Sequence, residues 1–323
     1  MSLQNDILKI FLENPGKTIS GNYIAKELSV SRTAIWKNIE DLRKLGYEFD
    51  ASTKKGYRIL QKPDILNTEI IRKDLDDEYK HIPIYVKEIT TSTNIDAKIA
   101  ATNGHSDYTV FIANEQTCGR GRLGRSFFSP KNGIYMSVII NPPENIKEYG
   151  LITTAVAVAV CDAIKSKTGI DLSIKWVNDL FYNQKKVCGI LCEAVLDMES
   201  SQINHIIVGI GINFHKGEDV IPNELKDIIT FLFDNNPPCT RNELISCVLN
   251  QLFDTFLDFS PATIMRDYKK RMFMLGQQIT FTKNDKTFTA VATDIDLTGG
   301  LVVTFPNGET KTLKTGEVSI KKL

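Results

Sequence analysis

The stretch that most restricts the fold lies directly C-terminal to the glycine-rich loop Gly119-Arg120-Gly121-Arg122-Leu123-Gly124-Arg125. The loop satisfies G-x-G-x-x-G, a pattern that binds dinucleotides only when a helix opens at its last glycines and points its N-terminus at the pyrophosphate. Here the chain continues Ser126-Phe127-Phe128-Ser129-Pro130, turns at Lys131-Asn132-Gly133 and enters the strand-like Ile134–Ile140. No helix is expected to start there, which argues against a doubly wound dinucleotide fold. The kinase reading is disfavoured too, because the chain has neither H-R-D nor D-F-G. What remains is a flexible loop carrying three guanidinium forks, each matched to carboxylate or phosphate oxygens. Such a loop can close over a small anion.

The head of the chain reads differently. Ile7, Leu8, Phe11 and Leu12 share one side of a helix over 5–12. Ser20 is placed to cap a helix Gly21–Leu28, and Ser31 a helix reaching Leu45 and stopped by Gly46. Ile35, Ile39, Leu42 and Leu45 keep helical spacing and face a core. Residues Tyr47–Ile59 form a hairpin with Lys54-Lys55-Gly56 near its tip. Helix, turn, helix and basic hairpin make a winged helix-turn-helix. In that fold the second helix of the pair enters the major groove. Ser31, Arg32, Thr33, Trp36 and Lys37 would meet bases or phosphates, and Lys54 and Lys55 the backbone. Charge agrees: residues 1–62 hold 11 Lys+Arg against 7 Asp+Glu, a net +4 inside a chain that is neutral as a whole. The alternative for such a head is protein docking, and Trp36 could instead shield the helix pair. Gln61-Lys62-Pro63-Asp64 reads as a linker.

Beyond it, apolar segments at Ile84–Ile89, Tyr108–Ala113, Ile134–Ile140, Leu172–Trp176, Val187–Val195 and Ile203–Ile212 read as strands. Asn94–Ala101 and Tyr149–Lys167 read as helices, the second apolar nearly all round and therefore buried. The sheet should be antiparallel or mixed, in an α+β domain. Arg241–Phe259 and Ile264–Met274 read as closing helices. After Gly276, short strands at Ile279–Thr282, Phe288–Asp294, Leu301–Phe305, Lys311–Leu313 and Val318–Ile320 alternate with turns at Asn284-Asp285, Thr298-Gly299-Gly300 and Asn307-Gly308, the pattern of a small SH3-like β-barrel. The division expected is 1–62, 63–275 and 276–323.

The N-terminus is too polar for a signal peptide, and no run of some 18 apolar residues occurs, so a cytoplasmic chain with no membrane association is expected. Its six cysteines show no C-x-x-C or zinc spacing and should stay reduced. Cys118, beside the arginine loop, is either a reactive thiol or a small residue in a turn.

Polar groups interrupt the central scaffold at Ser92-Thr93-Asn94, Gln116 with the arginine loop, Lys175-Trp176-Val177-Asn178-Asp179, Lys186 before Gly189-Ile190-Leu191, and Gly209-Ile210-Gly211-Ile212-Asn213. Each alone has a bland explanation: a cap, a turn, a solvated lysine. As a succession, S-T-N, Q-x-x-G-R-G-R-x-G-R, K-W-x-N-D, K-x-x-G-I-L and G-I-G-I-N resemble the biotin protein ligases, and with the head the chain is similar to their bifunctional ligase–repressor branch. The resemblance covers essentially the whole length.

It implies a central mixed α/β domain of the biotin/lipoate ligase type, with biotin and ATP as substrates and Mg²⁺ alongside ATP. Biotinyl-5′-AMP is made first, and biotin then passes to a lysine of a biotin carboxyl carrier protein. It further implies repression at operator DNA of biotin genes and a ligand-promoted homodimer. By resemblance Ser92, Thr93, Asn94, Gln116, Arg120, Gly121, Arg122 and Lys186 hold biotin. Arg122, Arg125, Phe128, Asn178, Asn213 and Phe231 hold ATP or the adenylate. Lys186, Arg122 and Asp179 carry the chemistry, with the metal near Asp179 but fixed by no protein motif. Two positions depart from the pattern: Val177 stands where proline is usual, and Phe127-Phe128 where a tryptophan leads. The rival readings are a lipoate or octanoate transfer enzyme on the same scaffold, and a small-anion-sensing regulator without turnover.

Overall fold

The structure is a computed structural model that describes residues 3–14, 16–44, 47–52, 56–61, 64–142, 150–196, 203–217, 220–283, 286–314, 316 and 318–320. Leu45, the stop at Gly46, the wing-tip residues Lys54 and Lys55, Tyr149 and the Asn284-Asp285 turn lie outside them. The chain divides into two compact units, residues 1–80 with Thr240–Ser246, and residues 81–239 with 247–323.

The first unit opens with α1 (Leu3–Glu13), α2 (Gly21–Glu27) and α3 (Arg32–Lys44), followed by the hairpin β1 (Glu48–Ser52) and β2 (Gly56–Gln61), and then α4 (Thr68–Lys73). Both predicted caps form: Ser20 Oγ accepts from Tyr23 N and Ser31 Oγ from Ala34 N, each at 3.1 Å. One apolar stripe from each helix meets Tyr47 and Phe49 in a single core containing Ile7, Phe11, Ile24, Ile35, Ile39 and Leu42. The wing is rooted by two reciprocal 2.8 Å bonds between Ile19 and Tyr57. That approach is why position 56 is glycine: its φ is +115°, and a Cβ there would lie 2.1 Å from the Ile19 carbonyl oxygen. Residues 64–80, read in the sequence with the central domain, fall in this unit. Asp64 Oδ1 accepts from Arg241 N at 2.9 Å and Oδ2 from Arg241 Nε at 3.0 Å, which satisfies a guanidinium only 4% exposed.

The second unit is built on a seven-stranded sheet. Its strands are β3 (Ile84–Thr90), β4 (Val110–Gln116), β5 (Ile134–Ile140), β6 (Ser173–Lys175), β7 (Asp179–Tyr182), β8 (Lys185–Leu196) and β9 (Ile203–Ile212). They lie in the order β3-β4-β5-β9-β8-β7-β6, and only β3 and β4 run parallel. The sheet is therefore mixed and mainly antiparallel, as expected. α5 (Thr93–Thr102) lays Ala97, Ala100 and Ala101 on Phe111, Ile139 and Ile207, small residues that let the helix sit close to the strands. α6 (Gly150–Thr168) buries most of its length, including the run Ala155–Cys161.

After α7 (Arg241–Leu257) and α8 (Pro261–Arg271) come β10 (Gln278–Lys283), β11 (Lys286–Ile295), β12 (Leu301–Thr304), β13 (Thr310–Leu313) and β14 (Val318–Ile320). These five pair in the order β13-β12-β11-β10-β14, antiparallel throughout. Ile279, Ala290, Ala292, Leu301, Val303 and Val318 form their buried face. No helix among the described residues is long and apolar enough to cross a membrane.

Candidate active site and nucleic-acid interface

Where β3 gives way to α5, Ser92 occupies the N-cap position yet makes no side-chain cap bond. The cap comes from the end of β4 instead. Gln116 Oε1 accepts from Thr93 N at 2.9 Å and from Thr93 Oγ1 at 3.2 Å. The other half of that amide, Nε2, donates to Ser129 Oγ at 2.9 Å, and Ser129 donates on to the Phe127 carbonyl at 2.8 Å. Asn94, only 5% exposed, packs on bare backbone: a Cβ at Gly209 would lie 2.0 Å from its Oδ1. Asn94 Oδ1 accepts from the buried Ser137 hydroxyl at 2.6 Å, and Nδ2 donates to Glu193 Oε2 at 2.9 Å. Ser92, Thr93, Asn94, Gln116, Arg120 and the glycines 189, 209 and 211 line a small pocket over β8 and β9. The amides and hydroxyls of Ser92, Thr93, Asn94 and Gln116, set beside apolar Met136, Leu191 and Ile210, suit a small polar ring with an apolar body.

Next to this pocket the arginine loop folds on itself. Gly121 N donates to Arg125 O at 2.7 Å and Phe127 N to Gly119 O at 2.8 Å. At Gly119 a Cβ would meet Phe127 O and Ser129 Oγ, both at 2.4 Å, so only glycine fits. The loop borders a second cleft, of about 590 Å³ including its open mouth, lined by Arg122, Arg125, Phe127, Lys175, Trp176, Asn178, Asp179 and Lys186 among others. Four cations face one carboxylate, a field that favours a polyanion. Lys186 Nζ lies 2.7 Å from Asp179 Oδ1 and 5.6 Å over the Phe127 ring. Arg122 Nη1 donates to Asn178 Oδ1 at 3.2 Å, and Asn178 Nδ2 donates to Ile190 O at 2.8 Å. The hairpin carrying Asn178 and Asp179 is pinned from outside. Trp176 Nε1 donates to Gly299 O at 2.9 Å and the Tyr268 hydroxyl to Val177 O at 3.0 Å. The Trp176–Val177 peptide is cis. Burial pushes the Tyr268 hydroxyl up, so it stays a donor.

The fold thus gathers Ser92, Thr93, Asn94, Gln116 and Arg120 in one pocket, and Gly121, Arg122, Arg125, Asn178, Asp179 and Lys186 in the cleft beside it. Phe128 does not line the cleft; its neighbour Phe127 does, with the ring against Gly189 and Gly211. Alternation along extended chain sends adjacent side chains to opposite sides, and the phase could not be read from two identical residues. Asn213 and Phe231 stand behind Lys186. Asn213 Nδ2 donates to Thr230 O at 2.9 Å, Thr230 N donates to Lys186 O at 2.8 Å, and Phe231 is buried. Asn213 braces the lysine's strand through Thr230, and neither Asn213 nor Phe231 lines the cleft. Lys175, which opens the K-W-x-N-D motif without an assigned role, lines the cleft, and Glu193 is a polar member of the site that no motif contains. Among the described residues no three His, Cys, Asp or Glu side chains could hold a metal together. Asp179 alone fits a hard cation, whose remaining oxygen ligands would have to come from phosphates and water.

On the first unit, Ser31, Arg32, Thr33, Trp36 and Lys37 are exposed along one face of α3, opposite the buried Ile35, Ile39 and Leu42. Trp36 is 55% exposed, so it does not shield the helix pair.

Three family profiles match the chain: an HTH domain over residues 3–58, the biotin/lipoate A/B protein ligase family over 85–213, and the biotin protein ligase C-terminal domain over 274–321. A bifunctional ligase/repressor BirA of Bacillus spizizenii is 40% identical over 232 residues, 72% of this chain and 71% of that protein. The Escherichia coli protein of the same description is 25% identical over 315 residues, 95% of this chain and 94% of its own length. Among solved structures, a biotin protein ligase from Aquifex aeolicus in complex with biotin and ATP is similar with a TM-score of 0.63 at 27% identity. That likeness covers 75% of this chain and 99% of that one.

Proposed function

Because the chain belongs to the family of bifunctional biotin ligase/repressors, we infer that it is an ATP-dependent biotin–protein ligase that also represses transcription. Its substrates are biotin and ATP, and its partners are a biotin carboxyl carrier protein and operator DNA. The observation that carries this reading is the continuity of the two sites: an amide-lined pocket opens beside a cleft where Arg122, Arg125, Lys175 and Lys186 converge.

In our assignment the ureido ring of biotin fills the pocket against Ser92, Thr93, Asn94 and Gln116, with Arg120 at its rim. The carboxylate points toward Lys186. A carboxylate oxygen attacks the α-phosphorus of ATP, the new P–O bond forms, and the bond to the departing pyrophosphate breaks. Two anions repel on approach, and fixed cations offset the repulsion without reorganising at the moment of reaction. Lys186 stands at the shared point, oriented by Asp179. Arg122 is held by Asn178, and Arg125 and Lys175 lie toward the pyrophosphate. Mg²⁺ bound with ATP supplies further charge neutralisation, Asp179 being the residue able to meet it. Phe127 covers the apolar body of the adenylate, in place of Phe128; Asn213 holds the strand of Lys186 through Thr230. The carrier lysine then attacks the acyl carbon, the amide forms and AMP leaves.

We assign DNA binding to residues 1–62, with Ser31, Arg32, Thr33, Trp36, Lys37, Lys54 and Lys55 at the duplex. Catalysis falls to 63–275, and the C-terminal domain is 276–323. The protein works in the cytoplasm, and filling the site favours a homodimer through the loops beside the sheet. The test is a transfer assay in which the protein, ATP and Mg²⁺ meet labelled biotin with an apo biotin-carrier domain, in parallel with lipoate and an apo lipoyl domain. Label on the biotin acceptor is expected; label only on the lipoyl domain, or on neither, contradicts the reading.

A further inference from the structure

Glu193 belongs to none of the motifs, yet its carboxylate joins two parts of the site. It projects from β8 and is mostly buried, its side chain 19% exposed. Oε2 accepts from Asn94 Nδ2 at 2.9 Å, and Oε1 lies 3.4 Å from Arg120 Nη1. One group therefore ties the first turn of α5 to the arginine loop.

Its chemistry fixes more than position. An amide side chain can present either its oxygen or its nitrogen, and the two ends are sterically alike. On the far side of the pocket Gln116 has no choice, since a backbone N–H, Thr93 N, can only donate to it. Asn94 has no backbone donor of that kind holding its oxygen: Oδ1 faces the hydroxyl of Ser137, which can donate or accept. Two groups on β8 turn Nδ2 toward that strand: the Glu193 carboxylate at 2.9 Å, which cannot donate when ionised, and the longer contact to the Leu191 carbonyl at 3.3 Å. With Nδ2 turned to β8, Oδ1 faces Ser137, which must then donate to it. Thr93 Oγ1, 2.7 Å from Ser137 Oγ, is thereby left to donate to Ser137 or to Gln116. The donor–acceptor pattern of the wall thus runs from β8, where the charged, shorter bond to Glu193 outweighs the longer one to the Leu191 carbonyl.

We propose that Glu193 is a positioning residue that supplies the stronger of the two bonds fixing the polarity of the Asn94 amide, and through it the acceptor pattern met by the ureido N–H groups of biotin. The inference rests on the biotin reading of the pocket. Glu193→Gln keeps the shape and removes the acceptor-only charge. With that variant, affinity for biotin measured calorimetrically without ATP falls roughly tenfold, the usual weight of a hydrogen bond to a charged group. KM for biotin rises in step, while KM for ATP and kcat at saturating biotin stay within twofold. In an Asn94→Ala background the same change costs less than threefold, because its effect passes through Asn94. Unchanged biotin affinity in Glu193→Gln, or equal losses with and without Asn94, overturns the proposal. So does a rise of KM for ATP matching that for biotin, which marks a general structural role. The parent's own isotherm separates the two failures: a parent that binds no biotin removes the ligase reading and this inference with it.

Discussion

Gly209→Ala is the sharpest steric test of the pocket. The new methyl would lie 2.0 Å from Asn94 Oδ1, 2.8 Å from Cγ and 3.0 Å from Nδ2. Ordinary carbon–oxygen contact is about 3.3 Å, so one partner must retreat by roughly 1.3 Å. The strand cannot yield easily, because Gly209 is paired on both sides, to Ser137 of β5 and to Leu191 of β8. Asn94 therefore moves. A displacement of that size takes its 2.6 Å bond from Ser137 and its 2.9 Å bond to Glu193 out of hydrogen-bond range. One neutral and one charge-assisted bond together weigh about 3 kcal/mol. If the loss falls on the ligand-ready pocket, biotin binding weakens on the order of 100-fold. If part falls on the fold, each 1 kcal/mol lowers the unfolding midpoint by roughly 2–4 °C. Calorimetric titration with biotin, together with a thermal melt, captures both shares. Biotin affinity within twofold of the parent at an unchanged melting temperature refutes the steric reasoning.

Lys186→Met removes one fixed cation from the reacting centre, and single-turnover formation of biotinyl-AMP should slow by about 10²–10³, as should Arg122→Ala. A rate within twofold removes that residue from the mechanism. In the head, Arg32→Ala should lower affinity for mixed-sequence duplex DNA and reduce the magnitude of its log–log salt slope by about one, measured by anisotropy between 50 and 200 mM salt. An unchanged slope takes Arg32 off the phosphates. Tyr47 supplies a pH test. Burial pushes its hydroxyl from 10.0 up to about 12, so unfolded chains ionise first. Stability is full below pH 10 and falls as pH rises toward 12, by an amount on the order of 2 kcal/mol. Tyr47→Phe should flatten that alkaline limb in a circular-dichroism titration; an identical limb shows that another group is responsible.

What could be read from the chain divides along the line between local and distant causes. Ser20 and Ser31 cap their helices, and Ile35, Ile39 and Leu42 turn inward, because both effects act within one or two turns. The expectation that the loop from Gly119 to Arg125 binds an anion has the same local basis: glycine and arginine declare their chemistry without a neighbour. Asp179 reads as part of a turn, yet it begins β7, paired to Lys175 in a hairpin that Tyr268 and Gly299 pin from far along the chain. Residues 64–80 join Arg241 in the first unit through contacts spanning about 177 positions, which no linker composition records. Glu193 was hidden in the same way, being one polar residue in an otherwise apolar strand, 99 positions from the amide it orients.

The most direct test of the central claim is biotin-dependent exchange of labelled pyrophosphate into ATP. Exchange reports the first chemical step at the cleft and needs neither a carrier domain nor DNA. Exchange is expected with biotin, none without it and none with lipoate. A folded protein that exchanges equally with lipoate, or not at all with biotin present, contradicts the ligase assignment.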